Sequence, residues 1–164
     1  MSLIKEWEEK SREQAFKKYS RVVEKVIFKL PDGSDSDFYI KKEGPASCTL
    51  ALTSNDEVML VRQFRPGPQK ILLELPGGYV DPNEDPKDAA SREFLEETGF
   101  TGDFEYVGTV LDDAYSTMVR HCFVAKNCKQ VKDPVQSPTE QTEVVMIPLS
   151  EFRNLLRSGE MTDI

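Results

Sequence analysis

The stretch that most constrains this chain is residues 78–100, GYVDPNEDPKDAASREFLEETGF, where a turn-rich loop runs into a helix carrying Arg92, Glu93, Glu96 and Glu97. Asp85 can cap the helix, Pro86 fits its first position because no backbone donor is needed there, and Gly99 suits a left-handed terminal residue. At 3.6 residues per turn Glu93 and Glu97 stack on one face with Glu96 beside them, and Arg92 reaches Glu96 at i+4. Ala90 and Phe94 fall to one side, where they can pack on a core. Like charges at this spacing cost about 0.2–0.5 kcal/mol, and carboxylates near a helix C-terminus oppose the dipole by roughly 0.3–1 kcal/mol, so a cation is expected to offset them.

The remainder of the chain reads as support for that helix. Its 164 residues suit one domain, 1–164, with an arm and hairpin over 1–45 and a core large enough to need no disulfides. A net charge of −8 argues against nucleic acid as the main partner, since phosphate backbones are gripped by clustered Lys and Arg. An anionic small-molecule substrate would instead need a local metal. Cys48, Cys122 and Cys128 form no CxxC pair, which suggests neither a zinc site nor a disulfide framework and fits a reducing cytoplasm. The N-terminus is too charged for a signal peptide, and no apolar run approaches the ~20 residues a membrane helix needs, so a soluble protein with no membrane partner is expected.

Residues 2–19 place Ile4, Trp7, Ala15, Phe16 and Tyr19 where a helix face or an irregular arm would use them, with good helix propensity. Alternation over 22–30 and 37–42 around Pro31-Asp32-Gly33 predicts an N-terminal β-hairpin, and 47–53 with 57–63 predicts a second strand pair. A short strand over 71–75 delivers the chain into Pro76-Gly77-Gly78, where two glycines allow close approach of a ligand. Strands are expected at 104–111, 119–126 and 143–147, a short helix at 149–157, and the longest loop at 127–141. There is no internal repeat and no low-complexity linker.

A carboxylate face beside a Gly-Gly turn suits Mg²⁺, with Mn²⁺ as a substitute, because these hard cations take oxygen ligands and share them with phosphates. The ordinary alternative is a solvated helix face. Spacing separates the two: Gly78, five residues, Glu84, seven residues, Arg92-Glu93, apolar Phe94, one residue, Glu96-Glu97, one residue, Gly99, apolar Phe100. At about 7% usage per position, chance agreement at every fixed residue is on the order of 10⁻⁸ per starting point. The pattern resembles the Nudix box without a departure.

The resemblance, which extends over about 22–157, implies an α+β fold: an α/β/α sandwich around a mixed β-sheet. It makes Glu93 and Glu97 the main metal ligands, Glu96 a further ligand or water-holder, and the Gly77 carbonyl a backbone ligand. Arg92 would orient the carboxylates and Glu84 would support the loop. The implied reaction is hydrolysis of a nucleoside diphosphate linked to another group.

Outside the box, Val61-Arg62-Gln63-Phe64-Arg65 and Leu73-Glu74-Leu75-Pro76-Gly77-Gly78 resemble the nucleotide-sugar branch typified by ADP-ribose pyrophosphatases. That likeness implies substrate contacts at Arg65 and Arg62 and a catalytic base at Glu140 in a mobile loop before the last strand, with Glu143 the second candidate. A surface ion pair is the ordinary alternative for Arg65, and plain solvation for the loop. One departure stands out: ADP-ribose enzymes usually continue with Pro-Gly after the turn at 112–116, whereas this chain has Thr117-Met118. The departure bears on the substrate and not on hydrolysis; other nucleoside diphosphate derivatives, such as GDP-mannose, dinucleoside polyphosphates or coenzyme A, are the alternatives. A non-catalytic nucleotide sensor would be favoured by degraded acids, and every acid is present. His121, the only histidine, reads as structural. The N-terminal hairpin resembles the segment through which relatives pair as homodimers, and residues 158–164 resemble the approach to a further helix.

Overall fold

The computed structural model describes residues 4–162, so positions 2 and 3 of the expected arm and the last two of the tail lie outside the described residues. The chain forms two compact units, one from residues up to 44 with 111–119, the other from 45–110 with 120–164.

The first unit is a three-stranded antiparallel sheet of β1 (Glu8–Lys18), β2 (Arg21–Lys29) and β3 (Asp35–Lys41), in the order β1-β2-β3. The expected hairpin is β2–β3. The stretch with good helix propensity before it is a strand instead. It pairs with β2 across a two-residue turn, with Tyr19 at φ 54, and two register shifts bend it around its partner. Ladder pairing along a whole neighbour outweighs a propensity difference of a few tenths of a kcal/mol per residue. Trp7, Phe28 and Phe38 gather with ring centroids 5.4–6.2 Å apart. Glu24, nearly buried, is held between Arg12 at 2.6 Å and Lys42 at 2.7 Å.

The segment 111–119 is fastened to the end of β3. The Lys41 N–H donates to the Tyr115 carbonyl (2.7 Å), and its ammonium meets Asp113 and Asp112 at 2.7 and 3.1 Å. Thr117, at the departure from the family pattern, donates its N–H to the Lys41 carbonyl (3.0 Å) and its hydroxyl to the Glu43 carbonyl (2.9 Å). A proline at that position would have no N–H to give.

The second unit holds β4 (Ala46–Leu52), β5 (Glu57–Arg65), β6 (Lys70–Glu74), β7 (Gly77–Tyr79), α1 (Pro86–Thr98), β8 (Phe100–Leu111), β9 (Val119–Gln130), β10 (Glu143–Pro148) and α2 (Leu149–Ser158). The sheet order is β10-β5-β4-β9-β8, with β6 on β5 and β7 on β4. The β4–β9 pair is parallel while β5 pairs antiparallel with β4, β6 and β10, so the sheet is mixed as expected. Period-two alternation sends adjacent residues to opposite faces. Ala51, Met59 and Ala125 meet Phe94 of α1, whereas Leu50, Leu52, Val58, Leu60 and Ile147 meet Phe152 of α2. Each helix therefore covers one face, giving the α/β/α layering. Among the described residues no helix is long and apolar enough to cross a membrane.

α1 begins and ends where its sequence marks fall. The Asp85 carboxylate accepts from the Lys87 N–H, Pro86 opens the first turn, and Gly99 closes the helix at φ 76 with its N–H on the Leu95 carbonyl. β8 then starts at once and β9 runs on to Gln130, so the long loop is shorter than expected, 131–142. A Cβ at Gly99 would lie 2.1 Å from the Lys132 carbonyl oxygen. We therefore expect Gly99→Ala to lower unfolding free energy by at least about 1–2 kcal/mol, since a left-handed non-glycine residue alone costs that much. Urea denaturation followed by far-UV circular dichroism measures it, and an unchanged midpoint would contradict the assignment.

Candidate active site

The acidic face of α1 is assembled against β7 and the loop 80–85 through Arg92. Its Nε and one terminal nitrogen grip both oxygens of Glu84 at 2.9 Å, its other terminal nitrogen donates to Glu93 at 2.7 Å, and the Tyr79 carbonyl accepts at 3.1 Å. Glu96, the i+4 partner anticipated from the helix repeat, is the more distant contact at 3.7 Å. The paired hydrogen bonds from Arg92, with one from the Asp81 N–H, hold the Glu84 carboxyl down at about 2. A bidentate guanidinium–carboxylate contact has the planar geometry that makes such pairs specific.

Glu93 and Glu97 experience the opposite balance. Burial pushes Glu93 up against the pull of Arg92, and the charges of Glu96 and Glu140 add to the rise. Glu97, 5% exposed, is pushed up to about 8, first by burial and then by the charges of Glu93 and Glu140; the Gly77 N–H, donating to its Oε2 at 2.8 Å, and the charge of Arg65 oppose the shift. Buried anions repelling one another are the state that a bound cation relieves.

The two glycines are where no side chain fits. A Cβ on Gly77 would stand 2.1 Å from the Ser47 carbonyl oxygen across the β4–β7 pair, and one on Gly78 would stand 2.5 Å from the carboxyl carbon of Glu93. The donor set is all oxygen, which suits Mg²⁺ or Mn²⁺ and not a thiolate-seeking metal. Among the described residues no three acidic, Cys or His side chains are gathered closely enough to grip an ion as they stand. Arg92 draws Glu93 to one side while Gly77 holds Glu97.

The charge of Glu140 adds to the upward shift of both Glu93 and Glu97. Glu143 instead forms an exposed cross-strand ion pair with Arg62 at 3.0 Å, at the register pair joining β10 to β5. Arg65 is part-buried, and its guanidinium is fixed to Glu74 at 2.6–2.9 Å. His121 lies in β9 with its ring 6.4 Å from that of Tyr106. Sequence reasoning passed over Glu74. It is fully buried and bound to Arg65, to the Gln63 amide at 3.0 Å and to the Thr162 hydroxyl. Its signal was an acid standing alone in the apolar strand Ile71-Leu72-Leu73-Glu74-Leu75.

A family model described as the NUDIX domain matches residues 42–162. The chain is similar to an ADP-ribose pyrophosphatase of Bacillus subtilis (strain 168), 29% identical over 167 residues covering 98% of this chain and 89% of the relative. It is also similar to an ADP-ribose pyrophosphatase of Saccharomyces cerevisiae, 30% identical over 134 residues covering 74% of this chain and 58% of that one. A solved structure titled as an ADP compounds hydrolase superposes with a TM-score of 0.83 at 20% identity, covering 99% of this chain and 89% of the other, which is a likeness of fold.

The carboxyl shifts predict how stability depends on pH. Folded Glu97 keeps its proton up to about 8 against an ordinary value of 4.5, so over that window the folded chain binds more protons than the unfolded one and stability falls as pH rises. Glu84 acts in the other direction: its contribution is present above 4.5 and is lost as pH falls towards about 2. With a chelator present, the melting temperature should decline between about pH 5 and about pH 8, and Glu97→Gln should flatten that decline. A parent slope retained in the variant would remove Glu97 as its source.

Proposed function

Because the chain belongs to the Nudix family of hydrolases, we propose that it hydrolyses the pyrophosphate bond of an ADP-ribose-like nucleoside diphosphate sugar, with Mg²⁺ as cofactor, to a nucleoside monophosphate and a sugar phosphate. The observation that carries this reading is the placement of Glu93 and Glu97 against the Gly77–Gly78 backbone, where Glu97 accepts from the Gly77 N–H at 2.8 Å and Glu93 fills the space a side chain at Gly78 would need. The likeness to two ADP-ribose pyrophosphatases supports the substrate class.

In this reading Glu93, Glu97, Glu96 and the Gly77 carbonyl hold the metal, which when bound neutralises the pyrophosphate and acidifies an attacking water. Arg92 favours the ionised form of Glu93 and fixes its orientation. The Gly77 N–H fixes one oxygen of Glu97. Arg65, its guanidinium oriented by Glu74, is the inner candidate for contact with substrate oxygens. Arg62 is the outer candidate for substrate contact, able to exchange its exposed partner Glu143 for an anion. Glu140 takes the proton of the attacking water as general base. We further read the protein as a cytoplasmic homodimer paired through the sheet of β1–β3, on which Phe16, Tyr19 and Tyr39 are exposed.

Incubation with ADP-ribose, other ADP-sugars and GDP-mannose tests the reading. AMP is expected from an ADP-sugar, and no nucleoside monophosphate from any of them with Mg²⁺ or Mn²⁺ would sink it. Thr117, where the branch usually has proline, makes the breadth of that panel necessary. Glu97→Gln should cut turnover by orders of magnitude. Glu140→Gln should cut kcat by about 10²–10⁴-fold with the metal requirement unchanged, and a large rise in the metal needed would make Glu140 a ligand instead.

A further inference from the structure

The loop 131–142 that carries Glu140 hangs from the end of α1. The last carbonyls of a helix have no partner within it. Here the loop supplies donors: Val131 and Lys132 N–H to the Gly99 carbonyl at 2.9 and 3.2 Å, Val135 N–H to Glu96 at 2.7 Å, and the Thr142 hydroxyl to Glu97 at 3.1 Å. The backbone carbonyls of two acids of the site are thus anchors for the loop facing them.

Between Val135 and Thr142 one side chain closes the loop. Gln136 donates its amide N–H to the Thr142 carbonyl at 3.0 Å and accepts the Thr142 N–H on its Oε1 at 3.0 Å, the reciprocal pairing a neighbouring strand would make. An amide side chain can do this because it carries a donor and an acceptor in one plane. Only 137–141 then project beyond the clamp, and within them Ser137 and Glu140 bond to each other's backbone at 3.0 and 3.3 Å. Pro138 occupies the second position of this Ser137-Pro138-Thr139-Glu140 turn, where its fixed φ is suited.

We propose that Gln136 and Thr142 are positioning residues that hold the Glu140 turn against the acids of α1. The inference rests on Glu140 being the base. Thr142 sets the height of the turn through the Glu97 carbonyl, and Gln136 sets its width. Both act through Glu140 without touching substrate.

The test is made on the full chain with Mg²⁺ and the best substrate of the panel. Gln136→Leu, which removes both amide bonds, and Gln136→Glu, which keeps the acceptor and loses the donor, should lower kcat by about 10- to 100-fold, the scale of an ångström misplacement. KM and the half-saturating Mg²⁺ should stay within about twofold. Amide hydrogen exchange over 137–141 should quicken, with α1 unchanged. Placed in Glu140→Gln, the substitutions should cost nothing further. Unchanged exchange at 137–141, or the same fold loss with and without Glu140, would overturn the proposal. Full turnover by Glu140→Gln alone would instead remove the base reading, and hydrogen exchange would still decide the clamp.

Discussion

Arg92 is the cation that makes an acidic helix face tenable in this fold. Four hydrogen bonds from its guanidinium go to Glu84, Glu93 and the Tyr79 carbonyl, so a single side chain joins the loop before α1, the strand β7 and the helix itself. An ammonium could neutralise one of these groups, but it has no fork with which to grip Glu84 in two places. The helix can present carboxylates in a crowded place because this one side chain satisfies several of the demands that they create.

What Arg92 does not reach is as informative. Glu97 has a backbone N–H in place of a guanidinium, and its carboxyl is driven towards about 8 where that of Glu84 is held at about 2. The two side chains are chemically identical and lie in one site, so environment alone separates them. The side chain left without a paired cation is the deepest of the set, walled by a β4–β7 contact too close for any Cβ at Gly77. That geometry concentrates the need for positive charge at one place.

The features legible in the sequence were those with short-range causes. The caps of α1, the packing of Phe94, the strand pairs β2–β3 and β4–β5, and the spacing of the acids follow from residues a few positions apart. The strand at Glu8–Lys18 was missed because its stability comes from β2, a partner that local propensity does not register. Glu74 was passed over because its partners Arg65 and Thr162 lie 9 and 88 positions away. The anchors of the loop at 131–142 could not be read either, because they are carbonyls of α1 and a backbone acceptor leaves no trace in residue identity.

Trp7 is the only tryptophan in the chain, and it sits against Phe28 and Phe38 on the sheet of β1–β3. Its fluorescence is therefore a local instrument, tuned to the aromatic cluster of one unit. The acids, the Gly-Gly turn and the Glu140 loop all belong to the unit without an indole. An unfolding curve drawn from indole emission would describe the loss of the smaller sheet. Where it diverges from a curve drawn from peptide absorption, the gap measures how far the two units melt apart.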